Sequence, residues 1–405
     1  MEHTLPMSVN QLNVLDILRR VERGELTAVK AGAVLHIDER SVRRKVGRLL
    51  EEGPVSLQHG LKGRASNNAL PPKEVNRIQQ LLRTNYPDFG PTFAAEKLCE
   101  LHRINRDPKT IRSIQIRLGL WKPRSSRTAA EHRFFRERRD VFGEMQQFDG
   151  SYHDWFEGRG GIEQACLLLA IDDATGCITH AWFAPHEGVL PVMGFWLEYA
   201  HLQGLPKAIY LDRFSTYSMN VKLAKENPDT LTQFERAAKE VGMEVIHAMS
   251  PQAKGRVERV FETLQDRLPK ELRLRGISTV EEANQFLATT FIPLFNKKFG
   301  RDAKQSGNLH RKPSERELTD ILPYIFCRRE KRTIQNDFTV PYKTRWFQLL
   351  PTPRLAMRPK ESLYVHEFPD GDIRLLVRGK QANFHSLPHR QTQTKQRAQT
   401  LVPIP

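Results

Sequence analysis

The chain has 405 residues, which is enough for about three domains of ordinary size. Hydrophobic residues make up 39% of the chain and charged residues 27%, a composition that is typical of folded globular proteins and excludes a largely disordered chain. Lys and Arg number 63 against 47 Asp and Glu, and the resulting net charge of +16 favours a polyanionic partner, above all nucleic acid.

The chain shows no sign of export or membrane insertion. Its N-terminus has no basic segment followed by an apolar run, and the apolar stretch 166–171 is too short to span a bilayer. We therefore expect a soluble, unexported protein with no membrane partner. The four cysteines are too few and too scattered for a disulfide framework or a Cys-rich zinc site, so we expect reduced, structural thiols.

The positive charge lies at the two ends of the chain. The net charge is +11 over residues 1–140, −4 over 141–320 and +9 over 321–405. Carboxylates repel phosphate unless a cation intervenes. This distribution therefore predicts DNA-binding regions at the two ends of the chain and a middle region that carries carboxylates. A basic surface that serves only solubility is the alternative.

Residues 1–58 have the pattern of a three-helix unit. Apolar positions at helical spacing between 12 and 21 predict a first helix, and two more are predicted over 25–35 and 38–50, which Thr27 and Asp38 can cap. An amphipathic third helix with a basic outer face is typical of the recognition helix of a helix-turn-helix, although a solvated basic helix has the same pattern. Its candidate DNA contacts are Arg40, Arg43, Arg44, Lys45 and Arg48.

A second helical DNA-binding unit is predicted over 71–121. It follows a linker, 59–70, in which Lys62 and Arg64 could contact phosphate. Its predicted helices are 72–83, 93–102 and 108–118, and the last of them carries Lys109 and Arg112. A basic linker over 122–140 leads into the next domain.

From residue 141 the periodicity changes to that of an α/β domain, predicted over 141–275. Strands are expected at 144–151, 162–171, 177–183, 207–211 and 243–248, with helices at 190–202 and 229–241. A further long helix is predicted to begin at Ser250 with Pro251 in its first turn. We expect a helical extension over 276–335.

The last domain has the pattern of a small β-barrel, predicted over 336–388. Its strands are expected at 341–350, 362–368 and 373–379, with a turn at 369–372. The polar, basic tail 389–405 is expected to be flexible.

Three carboxylates follow apolar strands or lie on the long helix. Asp149, Asp212 and Glu258 are separated by 62 and 45 residues, gaps that hold the predicted strands and helices between them. Carboxylates at the tips of adjacent central strands converge, and two Mg²⁺ (or Mn²⁺) ions held there can activate a nucleophile and stabilise a leaving oxygen. These are our candidate catalytic residues and metal ligands.

Other residues compete for these roles. Asp172 and Asp173 also follow a buried strand, but the sequence D-D-A-T-G is typical of a hairpin turn. Glu262 lies one turn beyond Glu258 on the same helix face and is the main rival as third ligand. The neighbouring cations could hold substrate phosphates or could simply be solvated charges; they are Lys254, Arg256 and Arg259.

At these segments the chain resembles a known family. The segments QQFDGS, YLDRFSTY and SPQAKGRVERVFETLQDRL resemble the three catalytic blocks of DDE transposases with an integrase-type, ribonuclease H-like core. The chain is most similar to bacterial insertion-sequence transposases of the ISNCY type, over nearly its whole length. It differs from retroviral integrases in having no N-terminal His/Cys zinc module, and its spacing between Asp212 and Glu258 implies a longer loop.

The resemblance implies catalytic roles for Asp149, Asp212 and Glu258 in metal-dependent 3′-end cleavage and strand transfer of an insertion sequence. The implied partners are double-stranded DNA, as terminal repeats and as target, and further copies of the chain in at least a dimer on DNA. The implied location is the bacterial cytoplasm, in association with the nucleoid. An inactive, sequence-specific DNA-binding regulator derived from a transposase is the main alternative, and a structure-selective nuclease is a third hypothesis.

Overall fold

The computed structural model describes residues 7–58, 69–123, 136–212, 227–248 and 255–388, with the backbone alone at 212, 227–232 and 248. The chain forms two compact units, Met1–Pro123 and Arg124–Pro405. Parts of the predicted linkers, the first residues of the predicted long helix and the predicted tail lie outside the described residues. So do three predicted DNA contacts: Lys62, Arg64 and Lys254.

The first unit begins with the three predicted helices, α1 (Val9–Glu22), α2 (Ala28–Leu35) and α3 (Glu39–Glu52). The predicted N-caps are confirmed: the Thr27 hydroxyl accepts a hydrogen bond from the backbone N–H of Lys30, and the Asp38 carboxylate accepts one from Ser41. The helices bury a small shared core that includes Leu18, Ala31 and Val42.

The second half of this unit contains α4 (Pro72–Thr84), α5 (Pro91–His102) and α6 (Pro108–Arg117), as predicted. Asp107 caps α6 by accepting a hydrogen bond from the Lys109 N–H at 2.7 Å, with Pro108 in the first turn. The buried Gln115 amide donates to the Phe89 carbonyl at 2.8 Å, which ties α6 to the loop between α4 and α5.

The second unit is built on a five-stranded sheet with the strand order β3-β2-β1-β4-β5. β1 pairs antiparallel with β2 on one side and parallel with β4 on the other, so β1 and β4 run in the same direction and β2 runs in the opposite one. The sequence predicts every strand to within a few residues. The bounds are β1 (Met145–His153), β2 (Ala165–Asp172), β3 (Ile178–Ala184), β4 (Ala208–Asp212) and β5 (Glu244–Ala248).

Helices cover both faces of this sheet, because its central strands are apolar on both sides. On one face, α7 (Val189–Leu202) and α8 (Asn227–Val241) pack over Phe148, Leu168 and Ala170. On the other face, α9 (Gly255–Leu274) packs over Leu167, Leu169 and Ile171 together with α10 (Val280–Phe286) and α11 (Ile292–Phe299).

The predicted helical extension is therefore part of the core rather than a separate domain. The Asn284 and Asn296 side chains each accept a hydrogen bond at 2.7 Å from the backbone of β3, from Phe183 and Ile178 respectively. The two asparagines thus hydrogen-bond backbone groups on the outer edge of β3, which could otherwise pair with another strand. A short helix, α12 (Leu322–Ile325), contributes to the core on the opposite face.

The C-terminal strands form a four-stranded sheet, β11-β10-β9-β6, and a three-stranded sheet, β12-β8-β7, around one apolar core. The expected barrel is not closed by hydrogen bonds in the part of the chain that the structure describes. The predicted strand 341–350 is a hairpin that turns at Lys343, whose φ is +50°. The bounds are β6 (Arg328–Thr333), β7 (Thr339–Tyr342), β8 (Arg345–Leu349), β9 (Ser362–Glu367), β10 (Ile373–Val377), β11 (Lys380–Ala382) and β12 (Phe384–Leu387).

The predicted boundary at 335/336 also differs from the structure, because β6 begins the four-stranded sheet at Arg328. This strand is attached to the core: the Arg329 guanidinium pairs with Glu240 of α8 at 2.8 Å. The C-terminal sheets and the core consequently belong to one compact unit. Nothing in the helices that the structure describes is both long and apolar enough to cross a membrane. All four cysteines are free thiols, as predicted.

Candidate active site

Two of the three candidate residues have backbones at matching positions of adjacent parallel strands. The register pairs Gln147 of β1 with Tyr210 of β4. Asp149 and Asp212 lie two residues beyond this last printed pair, at matching positions along their two strands. β4 ends at Asp212, whereas β1 continues to His153. That the two carboxylates converge stays a prediction from the sequence, because the Asp212 side chain lies outside the described residues.

The face of β1 that carries Asp149 is the face that α9 covers. Asp149 stands opposite Leu169 of β2, and directly opposed residues of an antiparallel pair point to the same side of the sheet. Leu169 belongs to the apolar cluster that α9 completes with Val257 and Phe261. Asp149 is half-buried beneath this helix.

Helix α9 presents the flank that carries Glu258 to β1. The Gln265 amide of α9 donates a hydrogen bond of 3.2 Å to the hydroxyl of Ser151, two residues beyond Asp149 and on the same face. Glu258 precedes Gln265 by seven residues, which is nearly two full turns, so the two side chains differ by only about 20° in direction around the helix. Glu258 is exposed in the first turn of α9. The structure thus brings Asp149, the Asp212 backbone and the Glu258 flank to one region of the sheet.

The rival Glu262 lies about 60° around the helix from Gln265 and is also exposed. Glu262 is therefore turned further away than Glu258 from Gln265, the residue of α9 that contacts β1. Helix geometry therefore favours Glu258 as the third carboxylate.

Asp172 is a structural residue of the turn between β2 and β3, as the sequence predicted. Its buried carboxylate accepts hydrogen bonds from the backbone N–H groups of Thr175 and Gly143 at 2.8 and 2.9 Å, and from the Gln146 amide at 3.1 Å. Burial raises the pKa of Asp172 against the opposing effect of these hydrogen bonds.

Asp173 is also buried, but its partners are charged. It accepts hydrogen bonds from Arg136 and Arg256 at 2.5 Å each, from Gln147 at 2.6 Å and from the Arg139 N–H at 2.8 Å. Burial would raise the pKa of Asp173, but the two guanidinium groups outweigh it and hold this pKa below its usual value. Arg256 lies in the first turn of α9, so this cluster joins β1 to the start of the helix.

The sequence did not reveal this cluster. Arg136 and Arg139 fall in the stretch predicted as a linker, yet both bind the core. The only available signal was the run R-E-R-R immediately before β1, which reads equally well as a basic connector. Arg256, predicted as a phosphate contact, already donates to Asp173 and to the Arg136 carbonyl, so its contact with DNA stays a prediction.

The predicted DNA contacts in the first unit lie on exposed helix faces. In α3, Arg43 pairs with Glu39, and Arg48 pairs with Glu52 at 2.9 Å. The other predicted cations of the two helices α3 and α6 are also exposed: Arg40, Arg44, Lys45, Lys109 and Arg112.

The donor set suits a hard divalent cation. Mg²⁺ and Mn²⁺ prefer carboxylate oxygens, which the half-buried Asp149 of the central strand and the exposed Glu258 of α9 supply. Among the described side chains, which do not include that of Asp212, no three His, Cys, Asp or Glu groups are close enough to hold a metal ion. A cavity of about 670 Å³ lies in the C-terminal sheets and not at these carboxylates. Residues such as Phe338 and Met357 line it.

Two curated proteins are similar to this chain over most of its length. "Putative transposase y4bF" of Sinorhizobium fredii (strain NBRC 101917 / NGR234) is 36% identical over 386 residues, which are 95% of this chain and 82% of that protein. "Transposase for insertion sequence IS1202" of Streptococcus pneumoniae is 28% identical over 411 residues, covering 92% of this chain and 85% of that protein. No model of a protein family matches the chain.

Solved structures show a weaker likeness. The simian T-cell lymphotropic virus intasome, solved by cryo-EM in complex with PP2A regulatory subunit B56 gamma, is 13% identical, with a TM-score of 0.32 over 77% of this chain and 100% of that chain. The HTLV-2 integrase catalytic core domain in complex with magnesium (trimeric form) is 18% identical, with a TM-score of 0.27 over 36% of this chain and 82% of that chain. At such TM-scores neither a fold nor an activity can be assigned from them.

Proposed function

The chain belongs to the transposases, and we propose that it cleaves the 3′ ends of an insertion sequence and joins them to target DNA by in-line phosphoryl transfer. The proposal assigns the catalytic roles to Asp149, Asp212 and Glu258. The observation that supports it most is the register of β1 and β4, which gives Asp149 and Asp212 matching positions on adjacent parallel strands.

The proposed site uses its carboxylates as ligands for two Mg²⁺ or Mn²⁺ ions. Bound divalent ions activate the attacking hydroxyl and stabilise the leaving oxygen of an in-line displacement. Asp149 and Asp212 would hold them from the sheet, and Glu258 from the helix. The Asp173 cluster and the Gln265–Ser151 hydrogen bond fix α9 against β1, which keeps Glu258 in register with the strands.

We assign DNA recognition to the first unit. Each of its two sets of three helices ends in an amphipathic helix, α3 or α6, that is capped by an aspartate and has cations on its exposed face. Such a helix can enter the major groove while its apolar face holds the bundle together. The proposed DNA contacts are the cations of α3 and α6, Lys62 and Arg64 between the two helical sets, and Lys254 and Arg259 beside Glu258.

Two element ends must be joined to one target, whereas one cluster of three carboxylates can position one end at a time. We therefore propose that the active form on DNA is at least a dimer. Separate binding and catalytic units allow one copy to hold an end that another copy cuts, because linked binding units raise the effective concentration of the second contact.

The function is tested by cleavage and joining of labelled element ends with Mg²⁺. Asp149→Asn and Glu258→Gln should abolish cleavage and leave DNA affinity within about twofold of the wild type, because each removes a metal-binding charge and leaves the DNA-binding surface intact. Glu262→Gln is the matched control: the same chemical change, one helical turn away, should preserve cleavage.

The same assay separates the alternatives. An inactive regulator would bind element ends and cut nothing, even as wild type. A structure-selective nuclease would cut branched DNA and would not join ends to target. Cleavage by Asp149→Asn at a wild-type rate, or loss of cleavage in Glu262→Gln but not in Glu258→Gln, would contradict the assignment.

A further inference from the structure

Four arginines surround a small cavity on the α9 face of the core. The cavity has a volume of about 150 Å³ and lies between the turn after β2, helix α9 and the segment after α11. Since a water molecule takes up about 30 Å³ of liquid, this space has room for a phosphate group with some of its hydration. The lining cations are Arg138, Arg256, Arg259 and Arg301.

The positive charges of these arginines act on one another. Arg256 is paired with Asp173, whose carboxylate also serves Arg136. The Arg138 guanidinium donates to a backbone carbonyl, that of Asp173, at 2.9 Å. Burial lowers the pKa of Arg138, and the nearby charges of Arg301, Arg256 and Arg259 lower it further. Like charges held together in this way favour the binding of an anion between them.

The cavity lies on the opposite flank of α9 from the candidate active site. Val260 and Thr263, which line it, lie about 140–160° around the helix from Glu258, whereas Gln265, which faces β1, lies about 20° away. Two rigid contacts shape its wall. The Thr263 hydroxyl donates to the Arg259 carbonyl at 2.9 Å, and the Arg301 N–H donates to the Thr175 carbonyl at 3.1 Å.

We propose that this cavity binds a backbone phosphate of duplex DNA through Arg138, Arg259 and Arg301, at a place separate from the carboxylates. Guanidinium groups suit this ligand, because they form paired hydrogen bonds with phosphate oxygens. Arg259 and Arg301 are exposed, so a DNA duplex can contact them at the surface of the protein. Arg259 directly follows Glu258 in α9, so a phosphate fixed here sets the position of the duplex along the helix that carries the third carboxylate. The inference rests on the proposed function, since it takes DNA as the substrate.

The test is the salt dependence of DNA binding by the full chain. Affinity for a duplex oligonucleotide of arbitrary sequence is measured by fluorescence anisotropy at several salt concentrations, in EDTA so that no cleavage occurs. Arg301→Gln should make the slope of log K against log salt less steep by about 0.9, the contribution of one phosphate contact. Lys239→Gln is the control, because it removes the same charge from an exposed position of α8 on the other face of the sheet and should leave the slope unchanged.

A second variant tests the electrostatic argument by adding a charge, so that the expected effect on stability is a gain. Thr263→Glu places a carboxylate among the arginines, so it should raise the melting temperature by relieving repulsion and at the same time weaken DNA binding. Arg301→Lys keeps the charge and should retain the wild-type salt slope.

Three results would overturn the inference: a wild-type slope in Arg301→Gln, an equal change of slope in Lys239→Gln, or wild-type DNA affinity in Thr263→Glu. Inorganic phosphate serves as a further arm, and a thermal shift by phosphate that Arg301→Gln abolishes while the DNA slope stays unchanged would identify a small-anion site instead. Because binding is measured without metal, any of these results would leave the proposed roles of Asp149 and Glu258 standing.

Discussion

Asp172 and Asp173 are neighbours in sequence and equally buried, yet their pKa values shift in opposite directions. Neutral donors surround Asp172, so burial prevails and its pKa rises. Two arginines surround Asp173, so its pKa falls and the residue stays ionised. The sequence predicted the turn they form, since D-D-A-T-G is a local signal. It could not predict their burial or the arginine partners, because Arg136 and Arg256 lie 37 and 83 residues away.

The charge of Asp173 has a measurable consequence for α9. Asp173→Asn should lower the free energy of unfolding by about 3 kcal/mol or more, because it leaves two guanidinium groups near the core without a carboxylate. It should also slow end cleavage at temperatures where the protein remains folded, since Arg256 then no longer holds the first turn of α9.

Urea denaturation and the cleavage assay measure the two effects. Asp372→Asn is a suitable control, because Asp372 pairs with Arg374 on the exposed surface of the C-terminal sheets, where an ion pair contributes little. Equal stability of Asp173→Asn and the wild type would show that the cluster does not fix the helix.

At the scale of the element, the apolar periodicity of α9 was sufficient to predict the helix and its buried side. Val257, Phe261 and Leu264 are buried as predicted, and this places Glu258 on the flank beside β1. The predicted N-cap at Ser250 lies outside the described residues. Periodicity could not identify the Gln265–Ser151 hydrogen bond, because a partner 114 residues away leaves no local pattern.

The exposed face of α3 contains two kinds of cation, and they should respond differently to substitution. Arg44→Gln should make the salt dependence of element-end binding less steep by about 0.9, as expected for one lost phosphate contact. Arg48→Gln should have a smaller effect, because Arg48 is already paired with Glu52 within the helix. Anisotropy titrations with element-end and random duplexes measure both, and a larger change for Arg48→Gln would contradict the assignment of the DNA-facing side.

At the scale of the whole molecule, the order of helices and strands up to α9 followed from the sequence, whereas β6, β11, β12 and the grouping of the elements did not. The region 276–335 is predicted as a helical extension of its own, but its Asn284 and Asn296 bind the edge strand β3 more than 100 residues earlier in the chain. A strand such as β6 likewise gives no local indication of the sheet that it joins. The grouping depends on contacts between distant segments, which composition and spacing do not encode.

The second unit should lose stability in mild acid. Burial lowers the pKa of His180, His310 and His366 to about 4 each. Between pH 6.5 and 4 the unfolded chain therefore binds more protons than the folded one, so stability present at pH 7 declines as the pH falls, by up to about 1.4 kcal/mol per pH unit for each histidine.

Urea denaturation at pH 7 and pH 5 measures this decline. His310→Gln removes one of the three groups and should reduce the pH dependence relative to the wild type. Its own stability at pH 7 is lower, because the hydrogen bond of 2.7 Å between Tyr199 and His310 is lost, but the comparison uses the difference between the two pH values. Unfolding free energies that do not change between pH 7 and pH 5 would contradict the neutral, buried state of these side chains.

The central claim is that Asp149, Asp212 and Glu258 form one metal site, and metal-directed cleavage of the protein backbone tests it most directly. Fe²⁺ bound in place of Mg²⁺ generates hydroxyl radicals with peroxide and ascorbate, and these cut the chain next to the ion. We predict that the cuts cluster near residues 149, 212 and 258, that excess Mg²⁺ suppresses them, and that Asp149→Asn removes all three sets together while Glu262→Gln leaves them unchanged. Cuts at other positions, or cuts near 212 and 258 that persist in Asp149→Asn, would contradict a shared site.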